Sequence, residues 1–182
     1  RKVAEFADIL FLAVKPNLFE SVIPQIAEAV TEDMCVVSIA AGQTIAAIEK
    51  LFGKKIHLVR AMPNTPALVG EAMSALSPND AVTDEELSEV KALFESFGKA
   101  EIVPERLMDA VIGVSGSSPA YVYLFIEAMA DAAVADGMPR AQAYKFAAQS
   151  VLGAAKMVLA TGQHPGELKD AVCSPAGSTI QG

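Results

Sequence analysis

A chain of 182 residues is long enough to bury a core of its own and allows one or two domains. A net charge of −8, with only 14 Lys and Arg, speaks against nucleic acid and against an anionic membrane as partners, so any anionic ligand must be held by local geometry. The chain is 52% hydrophobic, yet charged residues break every apolar run before the roughly 18 residues that a bilayer crossing needs, which leaves unusually apolar helices whose expected destination is a subunit interface.

Arg1 to Ala7 reads as the tail of a helix, and Asp8 to Val14 is a continuous apolar run of strand length. A strand hydrophobic on both faces belongs inside a parallel sheet with helices on each side. Lys15-Pro16 ends it, and Pro16 opens a helix through Leu18, Val22, Ile26 and Ala29. Met34 to Ile39 repeats the strand pattern, Ala40 to Thr44 is a tight turn, and Ile45 to Phe52 is a short helix. Ile56 to Ala61 is a third strand, followed by Met62-Pro63-Asn64-Thr65-Pro66, whose two prolines bar both helix and central strand. Ala72 to Leu76 reads as a fourth strand. Thr83 to Glu86 opens the next helix as a capping box, and Ala100 to Val103 is a last short strand before Pro104. Strands alternating with helices predict an α/β layer with a doubly wound parallel sheet over residues 1–104. Beyond Pro104 strand signals vanish: Glu105 to Val114, Pro119 to Ala135 and Pro139 to Ala160 read as helices, with breaks at Ser115 to Ser118 and Asp136 to Met138. Residues 105–182 are thus expected to be all-helical, with their aromatic and Met positions in the core.

In such a sheet, ligands bind beyond the carboxyl ends of the strands. Three loops lie there, at Val14-Lys15-Pro16, Ala40 to Thr44 and Met62 to Pro66, and their small or polar character suits a nucleotide lying across strand ends. No G-x-G-x-x-G follows any strand, so the chain reads as cut at its front, with the dinucleotide fingerprint in a preceding segment. His57 and His164 have no visible carboxylate or cysteine partner and read as structural or solvent-facing; Glu127 and Asp131 share one helix face, for which an interface or helix-end role is expected. Cys35 and Cys173 lack disulfide or zinc spacing and no signal peptide is read, which points to a reducing, cytoplasmic compartment and no metal. The last stretch carries the most specific pattern. A short helix ending near Val172 meets Cys173-Ser174-Pro175-Ala176-Gly177-Ser178-Thr179, where Pro175 denies continuation and Gly177 is free to take positive φ. A helix starting near Ser178 or Thr179 makes this either a capped connection or a seat for a small anion.

Taken together these motifs resemble the pyrroline-5-carboxylate reductase family. The residues that carry the resemblance are Ala13-Val14-Lys15-Pro16, Ser38 to Gly42, Met62-Pro63-Asn64-Thr65-Pro66, Val114 to Tyr121, and the run from Glu127 through Asp131, Gly137, Arg140, Gly153-Ala154-Ala155, His164-Pro165-Gly166 and Leu168-Lys169-Asp170 to Ser174-Pro175-Ala176-Gly177-Ser178-Thr179-Ile180. Ser118 and Ala176 stand where the family usually has Gly, and Ala176 is expected to narrow the conformations open to its loop. The resemblance implies a Rossmann-like domain followed by a helical domain that binds substrate and interlocks two subunits, so that the substrate loop faces a sheet domain's cofactor. It implies hydride transfer from NADPH or NADH to the cyclic imine 1-pyrroline-5-carboxylate, giving proline, in a homodimer or higher homo-oligomer. The substrate carboxylate would sit on the amides of Gly177, Ser178 and Thr179 with help from Ser174; the Thr179 hydroxyl would bond the ring nitrogen, with the proton delivered through water; and Val14, Lys15, Ala41, Met62, Asn64 and Thr65 would border the cofactor. Such a family member continues beyond both ends of this sequence, and the sequence alone is expected to bind dinucleotide weakly or not at all. Two rivals remain at this point: another two-domain reductase such as a β-hydroxyacid dehydrogenase, which would want a helical lysine such as Lys145 or Lys156, and a non-enzymatic helical dimerisation module.

Overall fold

Alternate residues of an apolar strand point to opposite faces, and here each face has its own core. In the computed structural model, which describes residues 1–181, five strands form one sheet in chain order: β1 (Ile9–Leu12), β2 (Cys35–Ser38), β3 (His57–Met62), β4 (Ala72–Pro78) and β5 (Gly98–Ile102). Leu10, Leu12, Val36 and Leu58 pack with Phe19 and Ile23 of α1 (Phe19–Ile26) and with Ile48 and Phe52 of α2 (Ile45–Phe52). Val37, Val59, Ala61 and Leu76 pack with Val90 and Phe94 of α3 (Asp84–Glu95).

Strands β1, β2 and β3 are parallel, with Leu12 beside Ser38 and Ser38 beside Arg60, so their carboxyl ends lie level. The sheet is mixed, where a wholly parallel one is expected from the sequence: β4 runs antiparallel to β3 and parallel to β5. A parallel return needs a crossover of a dozen or more residues, and the connection from Met62 to Ala72 holds only a 3₁₀ turn, Thr65–Val69. That turn forms because Pro66 is compatible with a first helical turn, so the Met62 to Pro66 loop is not barred from all helix. Strand β1 pairs only with β2 and is an edge of the sheet among the described residues. Arg1 to Ala7 forms hydrogen-bonded turns and no α-helix.

After Pro104 the chain makes a 3₁₀ turn (Glu105–Leu107), the short α4 (Met108–Val111) and a π-helical turn (Ile112–Gly116), then α5 (Ser118–Ala135), α6 (Arg140–Thr161), α7 (Pro165–Val172) and α8 (Ser178–Gln181). The break expected at Ser115 to Ser118 is present at Ser117, a bend between this wider helical turn and α5. Compactness divides the chain at Pro119, later than the boundary near Pro104 expected from the change of period. The reason is local: Met108 is 1% exposed, and the Glu105 carboxylate accepts a hydrogen bond from the Ile45 N–H at 2.7 Å, which ties this segment to the sheet unit. The second unit, from Ala120 on, buries Ala130, Ala143 and Ala147 with Ile126, Met129 and Val134 packed against them, and leaves Tyr121, Tyr123, Leu124, Phe125 and Phe146 more than half exposed. Its last residue, Gly182, lies outside the described residues. No described helix is long and apolar enough to cross a membrane.

The capping box at α3 is present as the sequence predicts. The Thr83 hydroxyl accepts from the Glu86 N–H at 3.2 Å, and the Glu86 carboxylate accepts from the Thr83 N–H at 2.7 Å. His57, expected to lack a carboxylate partner, has one in Glu86 at 2.6 Å; β3 and the start of α3 bring together residues that sequence distance hides. Partial burial pushes the Glu86 carboxyl up, but the hydrogen bonds from the Thr83 backbone, His57 and the Thr83 hydroxyl outweigh it and hold the group below its ordinary 4.5. A lowered carboxylate contributes stability that is present above 4.5 and is lost as pH falls through its folded value. Glu86→Gln is accordingly expected to unfold at lower urea than the wild type at about pH 7, with the gap closing by about pH 3. A gap that stays constant across that range would show that the charge of Glu86 carries none of it.

Candidate active site

The level ends of β1, β2 and β3 bring the three predicted cofactor loops out side by side. Lys15 is extended (φ −60°, ψ 144°) and leads into the 3₁₀ turn Pro16–Leu18; Ala41 precedes Gly42, whose φ of 75° turns the chain toward α2; Met62 is the last residue of β3. Val14, Lys15, Ala41 and Thr65 are exposed, and Met62 and Asn64 are half-buried. Met62, Asn64 and Thr65 line one cavity of about 620 Å³ with Phe11, Ile39, Phe94, Phe97 and Gly116. Val14, Lys15 and Ala41 stand at the neighbouring strand ends, outside that lining. The aromatic wall was not foreseen. Helical and strand spacing marks Phe11, Phe94 and Phe97 as core, whereas in the fold Phe94 packs at a tilt against Phe11 (5.9 Å between centroids) and Phe97 (5.5 Å), and the three line the cavity.

Arg60 also escapes a reading by pattern. It lies in β3 at 6% exposure, and its guanidinium meets the Glu105 carboxylate at 3.0 Å, the oxygen that also receives the Ile45 N–H. The available signal was a lone charge inside an apolar strand run, which needs a partner if buried. Asn64 uses its side-chain amide within the protein: Nδ2 donates to the Ser115 carbonyl and Oδ1 accepts from the Met73 N–H, both at 3.0 Å.

In the second unit, the loop after α7 is a β-turn. The Gly177 N–H donates to the Ser174 carbonyl at 3.0 Å, with Pro175 and Ala176 between them. The positive φ expected at Gly177 falls on Ala176 instead, at 57°. A turn with Pro in its second place and a left-handed third residue is of type II, whose third place favours Gly, and it is there that this chain carries Ala. Gly177 makes room in another way: a Cβ on it would lie 2.4 Å from the Ser174 Oγ and 3.2 Å from the Ser174 carbonyl oxygen, so a side chain there would turn the hydroxyl away. The Ser174 hydroxyl is thereby set over the Gly177 backbone, and α8 starts at Ser178, so that the Ser178 and Thr179 amides belong to a first helical turn without intrahelical acceptors.

His164 and Asp131, also singled out by sequence, have structural partners. His164 caps α7, its Nδ1 accepting from the Gly166 N–H at 3.0 Å. Asp131 pairs with Arg140, whose guanidinium also lies 5.6 Å from the Tyr144 ring centre; the ion pair raises the Arg140 pKa. Cys35 and Cys173 are free thiols, and burial foremost, with the Glu86 and Glu89 charges, pushes Cys35 up to about 12, which makes it unreactive.

The left-handed Ala176 is testable on its own. Ala176→Gly relieves a cost of about 1–2 kcal/mol but adds freedom to the unfolded chain, so the turn should change by less than about 1 kcal/mol, whereas Ala176→Val places a β-branch at positive φ and should open it. Amide exchange at Gly177 reads the turn directly. Unchanged protection in the Val variant would show that Ala176 is not held left-handed.

Residues 105–182 match a family model described as pyrroline-5-carboxylate reductase dimerisation, and residues 1–42 match one described as NADP oxidoreductase, coenzyme F420-dependent. The pyrroline-5-carboxylate reductase of Escherichia coli strain K12 is 56% identical over 181 residues, covering the whole of this chain and 67% of that protein. A crystal structure of the Plasmodium falciparum enzyme with NADP bound superimposes with a TM-score of 0.91 at 35% identity, over 99% of this chain and 68% of that one. A structure of the Coxiella burnetii enzyme superimposes with a TM-score of 0.92 at 36% identity, over 100% of this chain and 68% of that one. The chain thus spans about two thirds of the length of each.

Proposed function

Since the chain belongs to the pyrroline-5-carboxylate reductase family, we propose that it serves the reduction of 1-pyrroline-5-carboxylate to L-proline, the last step of proline biosynthesis, with the turn Ser174–Gly177 and the start of α8 as the seat of the substrate carboxylate. When bound, NADPH or NADH supplies the hydride that reaches the imine carbon, while a proton arrives at the imine nitrogen. The residues present suit that cofactor: three level strand ends and an apolar cavity of about 620 Å³ whose polar lining is Asn64 and Thr65. Val14, Lys15 and Ala41 border the same ligand from the neighbouring strand ends, with Lys15 toward its phosphates.

The observation that carries the reading is the terminal turn. Ser174 and Gly177 lie in close approach across the turn, and the amides of Gly177, Ser178 and Thr179 succeed one another where the chain enters α8. A carboxylate there receives N–H groups in fixed directions and the Ser174 hydroxyl beside them. The Thr179 hydroxyl then bonds the ring nitrogen and orients the imine, and water delivers the proton. No strong base is called for, since hydride transfer rests on position and on exclusion of water. The two rival readings find no support beside a relative 56% identical over the whole chain.

The exposed aromatic and apolar residues of α5 and α6 form the contact of a homodimer, in keeping with the dimerisation model that matches this segment. The match to that model begins at residue 105, where the hydrophobic period changes, and so ahead of the compact unit that starts at Ala120. The free thiols suit a cytoplasmic enzyme.

The test is an assay of NADPH oxidation with pyrroline-5-carboxylate in the protein at the full length of its relatives. Thr179→Ala and Thr179→Val should each lower kcat by roughly 10- to 100-fold, the worth of one hydrogen bond to a charged group, with unchanged thermal unfolding. Turnover equal to wild type in both variants would remove Thr179 from the mechanism.

A further inference from the structure

Two backbone ladders are interrupted beside the cofactor cavity, and one side chain closes both. The first interruption lies before α5. The carbonyl of Ser115 would find its α-helical donor four residues on, at residue 119, but Pro119 has no N–H. The chain passes this point by a wider turn, in which the Ser117 N–H donates to the Ile112 carbonyl at 2.8 Å, and the Ser115 carbonyl takes the Asn64 Nδ2 instead, at 3.0 Å. The second interruption lies between β3 and β4. Their ladder pairs Met62 with Ala75, and its continuation would set residue 64 beside Met73. Pro63 and the 3₁₀ turn after it take the backbone away, and the Met73 N–H finds the Asn64 Oδ1 at 3.0 Å.

The Asn64 amide thus stands in for a peptide group twice, as acceptor for the sheet and as donor for the helical turn. Few side chains can do both from one short stem: aspartate only accepts, and serine does not span the two partners. The clamp also sets the cavity wall. It holds the turn Ile112–Gly116 against the end of β3 so closely that a Cβ on Gly116 would lie 3.1 Å from the Met62 Cε, and Met62, Asn64, Thr65 and Gly116 all line the cavity.

We propose that Asn64 is a positioning residue: its amide, bonded to the Ser115 carbonyl and the Met73 N–H, fixes the loop Met62–Thr65 in the shape that accepts the nicotinamide cofactor, and it acts through these two bonds rather than as a cofactor ligand. The proposal rests on the functional reading in which this loop borders the cofactor. It accounts for the choice of residue more narrowly than a bordering role does, because a side chain that only touched the cofactor would not need its donor and acceptor aimed at two backbone groups of its own chain.

The experiment compares Asn64→Ala and Asn64→Asp in the full-length protein, with NADPH turnover and, in the cofactor-free protein, amide exchange at Met73. Both variants should raise the KM for NADPH by about tenfold with kcat within about threefold, the effect of one or two hydrogen bonds on a binding step. Exchange at Met73 should accelerate about tenfold in Asn64→Ala and stay slow in Asn64→Asp, which keeps the acceptor and loses only the donor. An unchanged KM in both variants overturns the proposal, and so does a raised KM in Asn64→Ala with Met73 still protected, since the side chain would then act on the cofactor directly. A wild-type protein without NADPH-dependent turnover overturns the functional reading itself and this inference with it, and is told apart by needing no variant.

Discussion

The parallel register of β1, β2 and β3 is the constraint on which the rest depends. Because Leu12, Ser38 and Arg60 are neighbours across the ladder, three loops well separated in sequence emerge at one level. A slip of one residue in any strand would exchange the two faces, sending Val36 and Leu58 toward α3 and Val37 and Val59 toward α1 and α2. With both faces apolar, the cost of such a slip is mismatch of volume more than exposure of polar groups, and the fit of Phe19 and Ile48 on one side against Phe94 on the other is what selects the register. The cavity proposed for the cofactor is a consequence of that selection: it is lined by loops that leave the strand ends.

Prolines shape those loops and the other joints of the chain. Pro16, Pro63, Pro66, Pro119 and Pro175 each stand at a point where the chain leaves or resumes a regular element, and each removes a backbone donor. The protein meets these losses in different ways. Pro16 and Pro66 sit in first turns, where the donor would be unused. Pro175 fits the second place of a tight turn. Pro63 follows the end of β3 and Pro119 lies in the first turn of α5, and beside them the Asn64 amide takes the Met73 N–H and the Ser115 carbonyl, which are left without a backbone partner. The Arg60 to Glu105 ion pair does related work one step away: the carboxylate that neutralises a buried guanidinium also caps an N–H at the start of α2, so a charge that would be costly alone becomes a joint between β3, α2 and the segment after Pro104.

The parts of this fold legible in the sequence were those set by local rules. The apolar runs, the Thr83 capping box and the limits of the helix Ile45–Phe52 come from periodicity and caps. The direction of β4 was not legible from its own residues, which read as a strand either way; only the short connection before it decides. Three-dimensional pairings were hidden for the same reason. Nothing in the spacing of His57 and Glu86, or of Arg60 and Glu105, announces a contact, and the aromatic wall of the cavity is indistinguishable by period from core. In the terminal loop the residue types were informative and their division of labour was not. Pro175 and Gly177 suggested a turn with Gly left-handed, whereas the geometry gives the left-handed place to Ala176 and reserves Gly177 for contact with Ser174.

That division bears on how an acidic chain would hold an anion. With a net charge of −8, long-range attraction works against a carboxylate ligand, and the one cation close in sequence, Lys169, is exposed and already paired with Asp170 at 2.9 Å. Fixed backbone amides are independent of that field and of pH, and they discriminate by direction: they suit a planar carboxylate that arrives in one orientation and offer little to a diffuse anion. Such a seat works only if the backbone is rigid. The turn is held by Pro175 on one side, by the Gly177 to Ser174 hydrogen bond on the other, and by an Ala176 whose side chain admits far fewer backbone conformations than glycine would. The strain at Ala176 is small beside the entropy that a flexible loop would lose on gripping a ligand, so an alanine at this place suits the proposed carboxylate seat by organising it in advance of binding.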